Sequence, residues 1–308
     1  MRSRTWGLAV PFVLLAACGG HGLKLKKDTA VDPLSQIRAN LAFTCRHERI
    51  PEASADSDQL FKYARWLQKN NQLKQDPTVD VEVERLYRIA TEHQHYKASI
   101  NLINGAFRGH FTLRSEEFLR LSQELIDAEV ASGYYFIAIL LQQGAAGLRE
   151  DPEMALRYYR KAADEGSALA QALVADKLAP SDIAPDIARQ MRRCAAEQGH
   201  GDAASDLGVN LVGIRRYQEA LEAFQLGVAA GDESSASFLE EGFRGPLPTD
   251  TLYYLNQEKD LERAERYKTI WRILARASYA SPKVPEINEI VPLPPAELPP
   301  WDGKLQWL

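Results

Sequence analysis

The chain has few of the groups from which chemical sites are commonly built. Three cysteines and six histidines in 308 residues form no cluster at metal-ligand spacing, so neither a zinc module nor a disulfide-knit scaffold is expected. Lysine and arginine nowhere gather into a block, and the formal charge is −5. A chain without a basic stripe has nothing to follow a phosphate backbone, so nucleic acid is not an expected partner. No apolar run reaches the roughly 20 residues that span a bilayer. No G-x-S-x-G elbow, H-E-x-x-H helix or phosphate-cradling glycine loop occurs, so neither an enzymatic activity nor a cofactor is expected. His93 and His95, if helical, point to nearly opposite sides and cannot hold one metal between them. His200, between Gly199 and Gly201, is expected at a helix exit, where the dipole favours positive charge.

What is present begins at the N-terminus. Arg2 and Arg4 precede an apolar run from Trp6 to Ala17, which closes as Leu15-Ala16-Ala17-Cys18. A short charged lead, about a dozen apolar residues and small residues before a cysteine are the order of a cleavable lipoprotein signal. Cys18 is therefore the expected lipidation site, with Gly19 and Gly20 as the start of a flexible tether. The alternative is an ordinary cysteine behind a plain signal peptide. No aspartate directly follows Cys18, which points away from inner-membrane retention. The expected address is the periplasm, lipid-anchored to the outer membrane.

Roughly 290 residues remain after cleavage, enough to bury a core, and the charge falls by two further units as Arg2 and Arg4 leave. A hydrophobic content of 45% with 26% charged residues is that of a folded chain. With Cys18 on lipid, Cys45 and Cys194 are left in a compartment that permits disulfides. A bridge between them requires the N-terminal segment to fold back. Two separately buried thiols are the simpler expectation, since free cysteine is among the most buried residue types.

The body of the chain repeats. Leu86-Tyr87-Arg88-Ile89-Ala90, Tyr158-Tyr159-Arg160-Lys161-Ala162-Ala163, Met191-Arg192-Arg193-Cys194-Ala195-Ala196 and Ala223-Phe224-Gln225-Leu226-Gly227-Val228 align. Gly166, Gly199 and Gly231 close the last three units at intervals of 33 and 32 residues, and Gln94 and Val130 continue the register upstream at intervals of 36. Such a period marks a solenoid. In the clearest unit, Gly133 to Gln143 is an apolar helix and Gly144 to Glu150 a loop, after which Asp151-Pro152-Glu153 opens a second helix with cap, first-turn proline and acid. Gly166 ends that helix where a left-handed residue is wanted. Ala155, Tyr159 and Ala162-Ala163 share its inner face. Each hairpin must stack on its neighbours to bury that face.

At these residues the chain resembles the Sel-one-like subclass of tetratricopeptide-type repeats, whose second helix reads A-x-x-Y-x-x-A-A-x-x-G. Residues Ala155 to Gly166 match closely, Ala188 to Gly199 and Ala220 to Gly231 more loosely. The stretch from Ser115 to Ser132 lacks the Ala-Ala pair and the closing glycine, so a distorted unit is expected there. The resemblance implies an all-α, right-handed superhelical solenoid of helix hairpins. The expected organisation is a signal peptide over 1–17, a lipidated tether and N-terminal segment over 18–57, repeats over 58–242, a capping helical segment over 243–281 and a Pro-rich extended tail over 282–308.

That tail has prolines at 282, 285, 292, 294, 295, 299 and 300, interleaved with Ile287, Ile290, Val291, Leu293, Leu298, Trp301, Trp307 and Leu308. The prolines favour extended chain. So many apolar side chains call for docking, either along the chain's own solenoid or on a partner.

The lipobox, the stretches Phe61-Lys62-Tyr63-Ala64-Arg65-Trp66-Leu67 and Asn70-Asn71-Gln72-Leu73-Lys74, the repeats, and the endings Val291-Pro292-Leu293-Pro294-Pro295 and Pro299-Pro300-Trp301-Asp302-Gly303 together look like one family. It is similar to the repeat lipoproteins encoded beside phospholipase effectors of type VI secretion, particularly of the phospholipase D type, which serve as periplasmic immunity proteins. The phospholipase D pattern H-x-K-x-x-x-x-D begins at His95-Tyr96-Lys97 but meets Leu102 where the aspartate should stand, so the chain is not the toxin. The resemblance implies that the repeat surface binds a type VI phospholipase and occludes it. Tyr134, Tyr135, Tyr158, Trp301 and Trp307 are the expected partner-binding residues, because aromatic side chains offer large contact area; repeat core is their commoner use. The competing reading is a periplasmic scaffold or adaptor for an envelope protein complex.

Overall fold

The computed structural model describes residues 42–277 and 281–306. Cys18 and Trp307, named above for lipid and partner, lie outside the described residues. Among the described residues every regular element is helical. In chain order these are α1 (Ala55–Asn71), α2 (Pro77–Glu92), α3 (Tyr96–Phe107), α4 (Ser115–Asp127), α5 (Ser132–Gln143), α6 (Pro152–Asp164), α7 (Ala168–Leu178), α8 (Pro185–Glu197), α9 (Gly201–Gly213), α10 (Tyr217–Ala230), α11 (Glu233–Phe243), α12 (Leu261–Arg276) and the single turn α13 (Ile287–Ile290). Helices α1 to α12 pair in sequence order as hairpins that stack on one another. The fold is an all-α solenoid.

The period has a local cause. The second helix of each of the first five hairpins, α2 to α10, ends in a left-handed residue, at Gln94, Glu129, Gly166, Gly199 and Gly231. The following residue then donates its amide to the carbonyl five positions back: His95 to Ala90, Val130 to Leu125, Ser167 to Ala162, His200 to Ala195 and Asp232 to Gly227. This is the Schellman closure, which satisfies carbonyls a helix end leaves bare. The upstream register therefore falls on Glu129, one residue before the Val130 expected from even spacing. Four of the five residues after the closure also cap the next helix. Ser167 and Asp232 accept through oxygen, from Ala170 and Ser235, and His95 and His200 accept through Nδ1, from Ala98 and Ala203. His200 thus opens α9 as a hydrogen-bond acceptor, which corrects its assignment to a helix exit that favours positive charge.

Asp151 caps α6 through the Met154 amide with Pro152 in the first turn, and Ala155, Tyr159, Ala162 and Ala163 are all buried. The small residues let neighbouring helices approach. The unit that lacks them is indeed different. Helices α3 and α4 pack on each other more sparsely than the other hairpins, and aromatic rings occupy the space. Phe107 meets Phe118 at 4.7 Å, and Phe111 sits where a side chain at Gly105 would stand, 2.0 Å from an ideal Cβ there.

Two extended segments finish the molecule. Residues 42–54, the strap, precede α1 without regular structure. The tail, residues 281–306, returns over α10 and α12. Val284, Ile287, Val291 and Leu305 are buried in the core cluster of α9 to α12, with Ile290, Leu293, Leu298 and Trp301 packed against it. The described part of the tail therefore docks on its own solenoid.

Candidate functional site

The strap reaches four helices of the array. Arg160 of α6 donates to the Ala42 carbonyl at 2.9 Å, Gln171 of α7 to the Arg46 carbonyl at 2.9 Å, and the Glu48 amide to Gln198 Oε1 at 2.9 Å. Helix α5 starts behind Ala131, which has no side chain with which to cap it. Glu48 supplies the missing acceptor, taking the Ser132 amide at 2.5 Å and its hydroxyl at 3.0 Å. Burial pushes the Glu48 carboxyl above its ordinary value, while these two bonds pull the other way. The strap backbone passes so close to the end of α6 that a Cβ at Gly166 would stand 2.6 Å from His47. This glycine is required twice, by its φ of 112° and by the chain lying on it.

Cys45 of the strap and Cys194 of α8 form a disulfide, with Cα atoms 5.5 Å apart. The expectation of two separately buried thiols is overturned because the strap does fold back, held by side chains from α5 to α8. Cys45, His47 and Cys194 are also the one grouping among the described residues with metal-ligand proximity. Both sulfurs are spent on each other, so the group offers no thiolate to an ion.

Beside the strap lies a cleft of about 1,320 Å³ lined by Arg46, His47, Arg49, Tyr134, Lys161 and Glu165 among others. Of the aromatic residues singled out in the sequence, Tyr134 and Tyr158 come together here, ring centroids 6.1 Å apart, with Lys161 Nζ 5.7 Å over the Tyr134 ring. Lys161 also pairs with Glu165 at 2.6 Å and holds that carboxyl below its ordinary value. Tyr135 turns inward onto Tyr159 at 5.6 Å; burial pushes the Tyr159 phenol up to about 12, and its hydroxyl donates to Gln142 at 2.7 Å. Trp301 is remote from these, donating to the Lys304 carbonyl at 2.8 Å. The cleft thus presents half-buried Tyr134, backed by Tyr158 and framed by mixed charge, a surface suited to contact with a protein and without a nucleophile, base and oxyanion donor set in one place.

A second aromatic pair escaped the sequence reading. Tyr63 and Trp66 of α1 are 51% and 59% exposed and stack on each other at 6.0 Å. Their three-residue spacing on a helix was legible. What the sequence did not show is that no later hairpin covers that face of the first helix. Among the described residues, no helix is long and apolar enough to cross a membrane.

Comparison with known proteins bears on the fold. A family profile described as a domain of unknown function, DUF6396, matches residues 235–308, which include most of α11, all of α12 and the tail. Solved structures similar to the chain include Pseudomonas aeruginosa 5086, with a TM-score of 0.60 and 26% identity over 82% of this chain and 95% of that one. The immunity protein Pa5087 of Pseudomonas aeruginosa aligns with a TM-score of 0.61 and 24% identity over 82% and 95%. The immunity protein PA5088 of the same organism aligns at 0.63 and 24% over 82% and 94%. The fold is shared with these proteins over nearly their whole length. No curated protein matches the chain significantly.

Proposed function

We propose that this chain is an immunity protein that binds a toxic effector and neutralises it by covering its working surface. The observation that carries this reading is the likeness of fold, over most of both chains, to two Pseudomonas aeruginosa proteins described as immunity proteins. A solenoid offers the extended surface that occlusion needs, and tight complexes of this kind bury about 2,000 Å² or more. Such neutralisation requires no chemistry of its own, so the chain acts as a non-catalytic binder.

The finer reading follows the sequence resemblance. The target is a phospholipase of type VI secretion, and the chain meets it in the periplasm, anchored to the outer membrane through lipid on Cys18. A toxin that attacks membrane phospholipid from that side is best intercepted at the membrane face. The test titrates the chain from residue 19 into the phospholipase encoded beside it and follows headgroup release. Hydrolysis should cease near equimolar addition. Undiminished hydrolysis at molar excess, with both proteins folded, refutes the phospholipase reading and leaves the envelope scaffold in front. Globomycin-sensitive processing that is lost in Cys18→Ser tests the anchor.

A further inference from the structure

The repeat helices hold extended backbone with a narrow set of side chains. Gln171 donates to the Arg46 carbonyl, Gln198 accepts from the Glu48 amide and Gln225 donates to the Val291 carbonyl at 2.8 Å. Arg160 takes the Ala42 carbonyl, and Arg263 that of Ala296 at 2.7 Å. An amide side chain matches the donor and acceptor of a peptide bond, so it reads extended chain with little regard to sequence.

The same side-chain types recur at the other end of the array with no strap over them. A pocket of about 460 Å³ between α1 and α3 is lined by Arg65, Gln68, Gln72, Asn101, Asn104 and Arg108. Gln72 Oε1 is buried there with no hydrogen-bond partner among the described residues, a state that costs free energy until a donor arrives. The ion pairs of this neighbourhood join Arg85 to Glu82, Arg88 to Glu84 and Glu117, and His110 to Asp80. Among the described residues they involve neither Arg65, which donates instead to Gln68 at 2.7 Å, nor the exposed Arg108. The single lining carboxylate, Asp80, is occupied by Asn71 at 2.9 Å and His110 at 3.1 Å, so the pocket is net basic in a chain of net negative charge. It also continues the path of the strap. A neighbouring cleft shares Arg65 and Asn101 with it and is lined on its other side by Glu48 and Ile50.

We propose that this pocket is a subsite for an extended, acidic segment of the protein partner. The amides of Gln72 and Asn104 take its backbone, and Arg65 and Arg108 take its carboxylates; the Asn101 amide is already given to the Tyr87 hydroxyl at 3.3 Å. The inference rests on the proposed function only in treating the partner as a protein. Ser281, where the tail begins, stands at the rim, which makes the chain's own tail the competing occupant.

The test selects a random dodecapeptide phage library on the chain from residue 19 and measures the enriched peptides by fluorescence anisotropy against wild type, Arg108→Glu and Asn104→Ala. Arg108 is exposed at the end of α3, so its variant should melt as wild type does. The expected result is enrichment of Asp/Glu-bearing peptides that bind Arg108→Glu at least about tenfold more weakly, the equivalent of about 1.4 kcal/mol, and Asn104→Ala measurably more weakly. Absence of acidic enrichment, indifference to both substitutions, or cross-linking of the Ser281 segment into the pocket with peptide excluded would each overturn the proposal. If acidic peptides select this pocket while the phospholipase goes unbound, the phospholipase reading falls and the subsite stands.

Discussion

The strap and the tail both lay extended chain over helix ends that close with a left-handed glycine, and they are held there by opposite means. At Gly231 the tail is so close that a Cβ would stand 1.8 Å from the Pro282 carbonyl oxygen, much as Gly166 lies under His47. The tail stays down through apolar burial, with Val284, Ile287 and Val291 fully covered and Tyr267 bonded to Gln225 beneath them at 2.8 Å. The strap remains largely exposed and keeps its place through hydrogen bonds, each worth about 1 kcal/mol net, and through one covalent link. Burial of a large side chain contributes about 1.5–3 kcal/mol, so the tail needs no crosslink. A dozen residues of exposed strap cannot offset their own ordering entropy by polar contacts alone, and the Cys45–Cys194 bond, which spans 149 residues, removes much of that entropy from the unfolded chain.

The largest effect expected from this contrast is at the tail's floor. Tyr267 is fully buried, so Tyr267→Ala should cost about 3–5 kcal/mol in denaturant unfolding, by the same amount with or without reductant. The strap should behave in the reverse way. Paired Cys45→Ser and Cys194→Ser, or dithiothreitol on the wild type, should cost about 2–5 kcal/mol and open Arg46 and Arg49 to trypsin. Equal protease resistance in the oxidised and reduced chain would show that the polar contacts suffice and that the contrast is false.

The repeat was legible because its causes are local. A closing residue, a cap, a first-turn proline and an Ala-Ala pair recur within one hairpin, and Asp151, Gly166 and Tyr159 could be assigned from their neighbours alone. The strap was not legible, since it has no period and its partners, Gln171, Cys194 and Gln198, lie more than 100 residues away. His200 was misassigned for a related reason. A closing glycine and the next helix cap are adjacent in sequence, so the ring reads equally well as an exit or an entrance until the Ala203 amide is seen to point at it. The amide pocket was hidden because asparagine and glutamine on an exposed helix face look like solvated residues. Only α3, the first helix of the second hairpin, placed across from α1, turns them into a lining.

Glycine substitutions sharpen the comparison at the next lower scale. Gly231→Ala must displace the Pro282 backbone as well as adopt a φ of 88°, so about 2–4 kcal/mol is expected from overpacking and left-handed strain together. Gly199 has the same conformation, φ 85°, but meets only the flexible end of Lys283 at 3.5 Å. Gly199→Ala should therefore cost only the strain, about 1 kcal/mol. Equal losses at the two positions, measured by thermal unfolding, would mean that the tail yields freely and is not clamped to α10.

The smallest effect belongs to Glu48, and its sign separates polar docking from charge pairing. Were the strap held mainly by charge attraction, its buried carboxylate would have a lowered proton affinity and the protein would gain stability as that group ionised. The opposite is expected, since burial raises the Glu48 carboxyl above its ordinary 4.5 and outweighs the two Ser132 bonds that favour the anion. Between 4.5 and the raised folded value, the native chain keeps a proton that the unfolded chain has released. Stability attributable to this group thus falls as pH rises through that window and is lowest at neutral pH. Glutamine retains an oxygen for the Ser132 amide and carries no charge. Glu48→Gln should accordingly shift stability at pH 7 by less than about 1 kcal/mol, and subtracting its pH profile from that of wild type should leave a descending step just above pH 4.5. An ascending step in that difference would show that the carboxylate is stabilised as an anion at the start of α5, and that the strap is an electrostatic clasp after all.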